Sequence, residues 1–135
     1  MAIILPQGRF NNANDQYIRE FISERCRILA VVGLHGNTFK PHTGTKTSVL
    51  FVQKWDDKLC PKVDDYNIFF ATMQKTGKDN SGEKIYLKNE NGENILDDNG
   101  HWIVDHDLYN HEGLTQDGIA EAFIEFAKKE KLSFF

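Results

Sequence analysis

Phe39 stands in a loop with Lys40, His42 and Lys46 around it. An aromatic ring among cations suits a stacked nucleobase flanked by neutralised phosphates, and such a stack is worth about 1–3 kcal/mol per base. The same ring would also serve to plug the end of a hydrophobic core, and spacing alone leaves both uses open. The stretch from Gly33 to Trp55 that contains it joins two apolar runs through a polar, basic loop holding Gly36, Pro41 and Gly44. Those residues allow close turns that most others resist, and structured loops of this length at strand ends often carry function.

A second set of capable side chains, His101, His106 and His111 with Asp105 and Asp107, raises metal binding. Their spacings match no established ligand pair such as H-E-x-x-H, so no metal site is expected. The turn at residues 97–100 is rejected as a calcium loop, because aligning Gly100 with the sixth position puts Ile95 at the first ligand position. Residues 44–47, Gly-Thr-Lys-Thr, lack the first glycine of a phosphate loop and precede a strand instead of a helix. No G-x-S-x-G elbow is present, and neither Cys26 nor Cys60 has a catalytic setting. A self-contained hydrolase is thereby disfavoured, as is a free-standing nucleotide-binding domain.

The elements that must position these residues are legible in order. Residues 3–5 form an apolar strand read as buried, broken by Pro6 and Gly8. Asn11, Asn12, Asn14 and Asp15 offer helix caps, and Ile18, Phe21 and Ile22 place one apolar stripe on a helix over 15–25. The runs at 28–34 and 48–52 are β-branched and nearly continuous, which predicts strands covered on both faces. Strand, helix, strand gives two parallel strands, with the turn at 6–14 and the loop at 35–47 at their carboxyl ends, where open α/β sheets bind ligands. The strand at 48–54 returns antiparallel, so the sheet is mixed. Residues 68–73 read as a further strand. The Asn-Gly pairs at 91–92 and 99–100 predict type I′ hairpin turns, and no other internal repeat is evident. A terminal amphipathic helix runs from an N-cap at Thr115 through Lys131, on a stripe of Ile119, Phe123, Phe126 and Ala127.

The chain of 135 residues is read as one domain, with residues 1–74 as its core and 75–135 as a hairpin region and terminal helix. Net charge is −4 but uneven: residues 1–62 hold nine Lys and Arg against five Asp and Glu, and residues 63–135 hold seven against fifteen. The front half could face phosphates, and the rear half would be repelled by them. Two cysteines without a CxxC pair, no signal peptide and no long apolar run predict a cytoplasmic protein with no membrane segment.

LPQGRF at 5–10, YIREFISERCRILAVVGL at 17–34 and TFKPHTGTKTSVLFVQK at 38–54 resemble the adenine-specific DNA methyltransferases of the N-6 DNA methylase type. Among these, the modification subunits of type I restriction-modification systems are the most similar, with a looser likeness over GLTQDGIAEAFIEFAKKEKLSFF at 113–135. The resemblance implies an α/β, Rossmann-like sheet that binds S-adenosylmethionine, with an antiparallel seventh strand between strands five and six. Residues 3–5, 27–34 and 47–54 would be strands five, six and seven. It implies that Phe39 stacks on a flipped-out adenine, and that Thr43, Thr45 and Lys46 shape the pocket or hold phosphate. Pro6 and Gly8 fall in the same region, and Arg9 and Lys40 are weaker backbone-contact candidates.

The family's acidic residue with a glycine-rich turn, and its Asn-Pro-Pro-Tyr or Asn-Pro-Pro-Phe motif, are absent, since Pro6, Pro41 and Pro61 are isolated. The chain is therefore expected to be the C-terminal part of a methyltransferase's catalytic domain, with no catalytic residue of its own. It would be inactive alone and would take S-adenosylmethionine only in the intact enzyme. DNA and the specificity and restriction subunits of a type I complex are the implied partners. The rival expectation is a non-catalytic assembly module that docks a specificity subunit through Trp102, Phe134 and Phe135.

Overall fold

The computed structural model describes residues 1–111 and 118–134. Four strands, β1 (Ala2–Pro6), β2 (Cys26–Gly33), β3 (Thr47–Lys54) and β4 (Phe69–Thr72), form one sheet in the order β1-β3-β2-β4. β3 pairs antiparallel with both β1 and β2, so those two run the same way, and β4 lies parallel to β2. The antiparallel strand between two parallel ones is the arrangement that the resemblance implied. A bulge between Ile28 and Ala30 adds one residue to β2 and turns Leu29 inward.

Helix α1 (Gln16–Arg25) fills the crossover from β1 to β2, and α2 (Ile119–Lys129) packs on the opposite face. On the α2 face, Leu29, Ala127 and Leu132 form a buried cluster with Phe51, Phe123 and Phe126. Val32, Leu34 and Met73 form a second, with Phe39, Val49, Phe51, Ala71 and Ile119 around it. Lys131 at φ 54° ends α2, and the Leu132 N–H reaches back to the Ala127 carbonyl at 3.1 Å, seating Leu132 in the core. The N-cap expected at Thr115 lies outside the described residues.

The expectation of strands covered on both faces holds only in part. The α1 face keeps an open apolar cavity of about 320 Å³ lined by Leu5, Phe10, Ile22, Val31 and Phe70 among others, and Phe70 is 70% exposed. β1, read as buried, is exposed along most of its length, with Ile4 at 51%. The reason is position: β1 is an edge strand, paired only with β3. No described helix is long and apolar enough to cross a membrane.

Beyond β4 the chain builds three short hairpins. The expected type I′ turns are corrected: in each turn only the glycine, Gly82, Gly92 or Gly100, has positive φ, whereas type I′ needs two such residues. Instead Asp79, Asn89 and Asp97 each open a turn by accepting, at Oδ1, the N–H groups two and four residues on. The side-chain oxygen caps the turn, and the glycine supplies the left-handed residue that follows it. The repeat therefore has three copies, not two. The first, with Ser81 before its glycine, is invisible to an Asn-Gly search. Where the second and third hairpins meet the Tyr86–Val104 pair, the N–H of Leu87 bonds Ile103 O, that of Ile103 bonds Ile95 O and that of Ile95 bonds Leu87 O, at 2.9, 3.1 and 2.9 Å; the first hairpin joins beside this ring through Ile85, whose N–H bonds Gly77 O and whose carbonyl accepts the Asp105 N–H. Of the three members of this closed ring, Ile103 is buried, at 4% exposed.

Candidate base-stacking loop

The loop between β2 and β3 is a series of tight turns. Thr38 N–H bonds His35 O, Lys40 N–H bonds Asn37 O, and the N–H groups of His42 and Thr43 both bond Phe39 O at 3.0 and 3.1 Å. His35 Nδ1 accepts the Asn37 N–H at 3.0 Å, which fixes its tautomer. The Lys40–Pro41 peptide is cis. Residues 41–46 are exposed, and Phe39 is half-buried against the cluster of Val32, Leu34 and Met73. Core plug and accessible ring thus coexist: Phe39 is anchored by the core without being engulfed by it.

Beyond Phe39 the loop turns outward. Thr43 Oγ1 accepts the Thr45 N–H at 3.1 Å and pairs with Thr45 Oγ1 at 2.9 Å, so the two hydroxyls lie together. The Lys40 stem runs alongside Gly44, where a Cβ would meet its Cε and Nζ at 3.4 Å. Lys46 O accepts the Gln7 N–H at 3.1 Å and Thr47 pairs with Pro6, so the turn after β1 and the end of the loop meet. Backbone pairing thus sets Pro6 and Gln7 beside Thr47 and Lys46, with Gly8 the next residue along the turn. Gly8 O accepts the N–H groups of Asn11 and Asn12, closing a 3-10 turn over Gln7–Phe10.

Arg9 leans the other way. Its Nη1 contacts both oxygens of Asp15 at 3.0 and 2.9 Å, with Asp15 6% exposed. Burying that carboxylate unpaired would be costly, so Arg9 first serves Asp15, although its own side chain stays 57% exposed. Arg19 Nη1 binds the carbonyls of Arg9 and Asn12 and braces the same turn.

The loop's main support comes from residues that sequence reading did not single out. Lys78 Nζ bonds the carbonyls of Thr38 and Lys40, both at 3.0 Å. Thr76 Oγ1 lies 3.0 Å from Thr38 Oγ1, and Asn37 Nδ2 reaches Asn80 Oδ1 at 3.1 Å. Gly82, at φ +93°, sits so close that a Cβ would lie 2.7 Å from Pro41 N. Local spacing carries no signal for contacts some forty residues apart.

The histidines lie elsewhere. His106, Tyr109 and His111 cluster in edge-on and tilted contact, with ring centroids 4.5–4.6 Å apart. Burial pushes the His106 pKa down, helped by His111 and opposed by Asp107 and Asp105. His106 Nδ1 accepts the Leu108 N–H, Asp107 binds the Gln74 N–H and Asp105 pairs with Lys75. Exposed His101 faces Asp97 at 3.9 Å. Among the described residues no three His, Cys, Asp or Glu are arranged to hold a metal.

In the turn that leads from β1 into α1, the buried carboxylate, Asp15, is paired with Arg9 and so is not itself free to take ribose hydroxyls.

The chain is similar to the type I restriction enzyme EcoEI methylase subunit of Escherichia coli, 35% identical over 54 residues, which are 39% of this chain and 11% of that protein. The chain thus matches about a tenth of the length of that curated relative. The family described as N-6 DNA methylase matches residues 1–131, nearly the whole chain, and with the antiparallel strand in its expected place the chain belongs to that family.

Proposed function

We propose that this chain is the C-terminal part of the catalytic domain of an adenine-specific DNA methyltransferase in a type I restriction-modification system. That enzyme would transfer a methyl group from S-adenosylmethionine to the exocyclic amine of adenine. The observation that carries the reading is the seating of Phe39, anchored on the core and leading into an exposed lip of His42, Thr43, Thr45 and Lys46. Adenine is buried in the duplex stack, so an enzyme acting on its amine must extrude it and hold the base by stacking. In this reading Phe39 holds the base, the paired hydroxyls of Thr43 and Thr45 border the pocket, and Lys46 and Lys40 neutralise phosphate. Arg9, oriented by Asp15, offers the outer part of its guanidinium to the DNA backbone, and Pro6 and Gly8 shape the adjoining wall.

The methyl donor and the group that polarises the amine would be held by other parts of the enzyme, and the chain alone would be inactive. Residues 1–74 would belong to the catalytic core, and residues 75–135 would be the hairpin region and terminal helix of the same domain. Phe39→Ala in the full-length enzyme should lower kcat about tenfold or more, from the loss of one base stack. Methylation of cognate DNA in single turnover measures it, and unchanged turnover would remove the role.

A second reading, an assembly module, is favoured by one observation: Trp102 and its cross-strand partner Leu96 are each 56% exposed on the hairpin surface. Trp102 stacks edge-on to Tyr86 at 5.1 Å, and Phe134 is 49% exposed at the chain's other extremity. Exposed aromatics of this kind mark protein interfaces. Trp102→Glu should weaken co-purification with the specificity subunit while methyl transfer to DNA persists; retained association would count against docking there.

A further inference from the structure

We infer that the first hairpin, residues 76–84, is a positioning device for the base-stacking loop and that Lys78 is its working side chain. This rests on the role proposed for Phe39. The Lys78 ammonium bonds the carbonyls of Thr38 and Lys40, the residues on either side of Phe39. Thr38 O belongs to the peptide entering Phe39 and Lys40 O to the Lys40–Pro41 peptide one residue beyond it, so one charged donor ties the backbone on both sides of Phe39 and restrains the path that sets the ring. Among the described residues Lys78 makes no ion pair, so its charge is compensated by these carbonyls, which form the stronger, charge-assisted kind of hydrogen bond.

The contact is specific to one copy of the repeat. Lys88 occupies the equivalent place before Asn89, and it is exposed. Only the first turn also brings Thr76 onto Thr38, Asn80 onto Asn37 and the Gly82 backbone against Lys40 and Pro41. Four independent contacts converge on the five residues 37–41, which is more than closing a short hairpin requires. The hairpin sets the angle at which Phe39 meets a base, and so acts on the chemical step through Phe39 without touching DNA.

The test uses the full-length methyltransferase with its partner subunits, an adenine-containing cognate duplex for turnover and a matched duplex carrying 2-aminopurine at the target adenine for fluorescence. Lys78→Met should lower kcat about tenfold, since small misplacements of a holding group cost up to about 100-fold, while DNA affinity stays within about twofold. Lys78→Arg should restore most of the rate. The extruded 2-aminopurine, quenched by stacking in the parent enzyme, should brighten in Lys78→Met and Phe39→Ala alike. The double variant should be no slower than Phe39→Ala, because both act through one ring. Should Lys78→Met fold poorly, the exposed Asn80→Ala should show the same pattern at about threefold. If Phe39→Ala is impaired but Lys78→Met and Asn80→Ala turn over normally, or if the losses multiply in the double variant, the positioning role is overturned and the Phe39 role stands. Normal turnover in Phe39→Ala would overturn both.

Discussion

The turn at residues 79–83 and its counterparts at 89–93 and 97–101 share one backbone recipe: an Asp or Asn that caps its own turn, then a glycine at φ between +79° and +93°. Their surroundings differ. A Cβ at Gly92 or Gly100 would meet nothing within 4 Å, whereas one at Gly82 would press into the backbone of Lys40 and Pro41. The same local solution is thus used twice as plain scaffolding and once as a fitted joint. The repeat makes the unit fold, and the exception connects it to the loop proposed to hold the base.

Replacing the three glycines one at a time should separate these uses. Gly82→Ala combines a left-handed backbone with a collision, and should cost about 3 kcal/mol and depress methylation. Gly92→Ala and Gly100→Ala carry only the backbone strain, and should each cost about 1 kcal/mol with activity retained. Denaturant unfolding and methylation assays on the three variants decide it; equal losses would mean that the joint is ordinary scaffolding.

A finer contrast is electrostatic. The Ser81 hydroxyl and the amides of Glu83 and Ser81 hold the Asp79 carboxyl below its ordinary 3.8, and the His101 and Asn99 amides do the same for Asp97. With folded pKa values depressed, the caps contribute fully above the ordinary carboxylate pKa and are lost as pH falls through the lowered value. Asn89 cannot titrate. On acidification the Ser81 and Asn99 amide resonances should move with midpoints below 3.8, while that of Asn91 keeps its bonded position. Asn89→Asp should give the middle turn the same response.

How much of this was legible follows from the range of each interaction. β2, β3 and both helices announce themselves because the apolar periods that define them are local. The place of β3 between β1 and β2 followed from the resemblance, and the burial of β1 was misjudged because an apolar run does not say whether it sits at a sheet's centre or edge. Phe39 stood out by the company it keeps in sequence. Lys78, Thr76 and Asn80 did not, because their partners are forty residues away and nothing in the Gly77-Lys78-Asp79 stretch distinguishes it from a solvated turn. The turn type was misread for a chemical reason: an Asx side chain can do the capping that the Asn-Gly rule assigns to a second positive φ.

The ring of hydrogen bonds joining Leu87, Ile95 and Ile103 has a topological consequence. A pairing that closes on itself after three members has no next position, so the unit cannot grow by recruiting a strand from another molecule at its hub. The second and third hairpins, in contrast, are independent arms. Residues inserted at their exposed tips around Asn91 or Asn99 would lengthen one arm and leave the ring in register, whereas the first hairpin, which branches off beside the ring at Ile85, is held to a fixed length at Gly82 by the loop it meets.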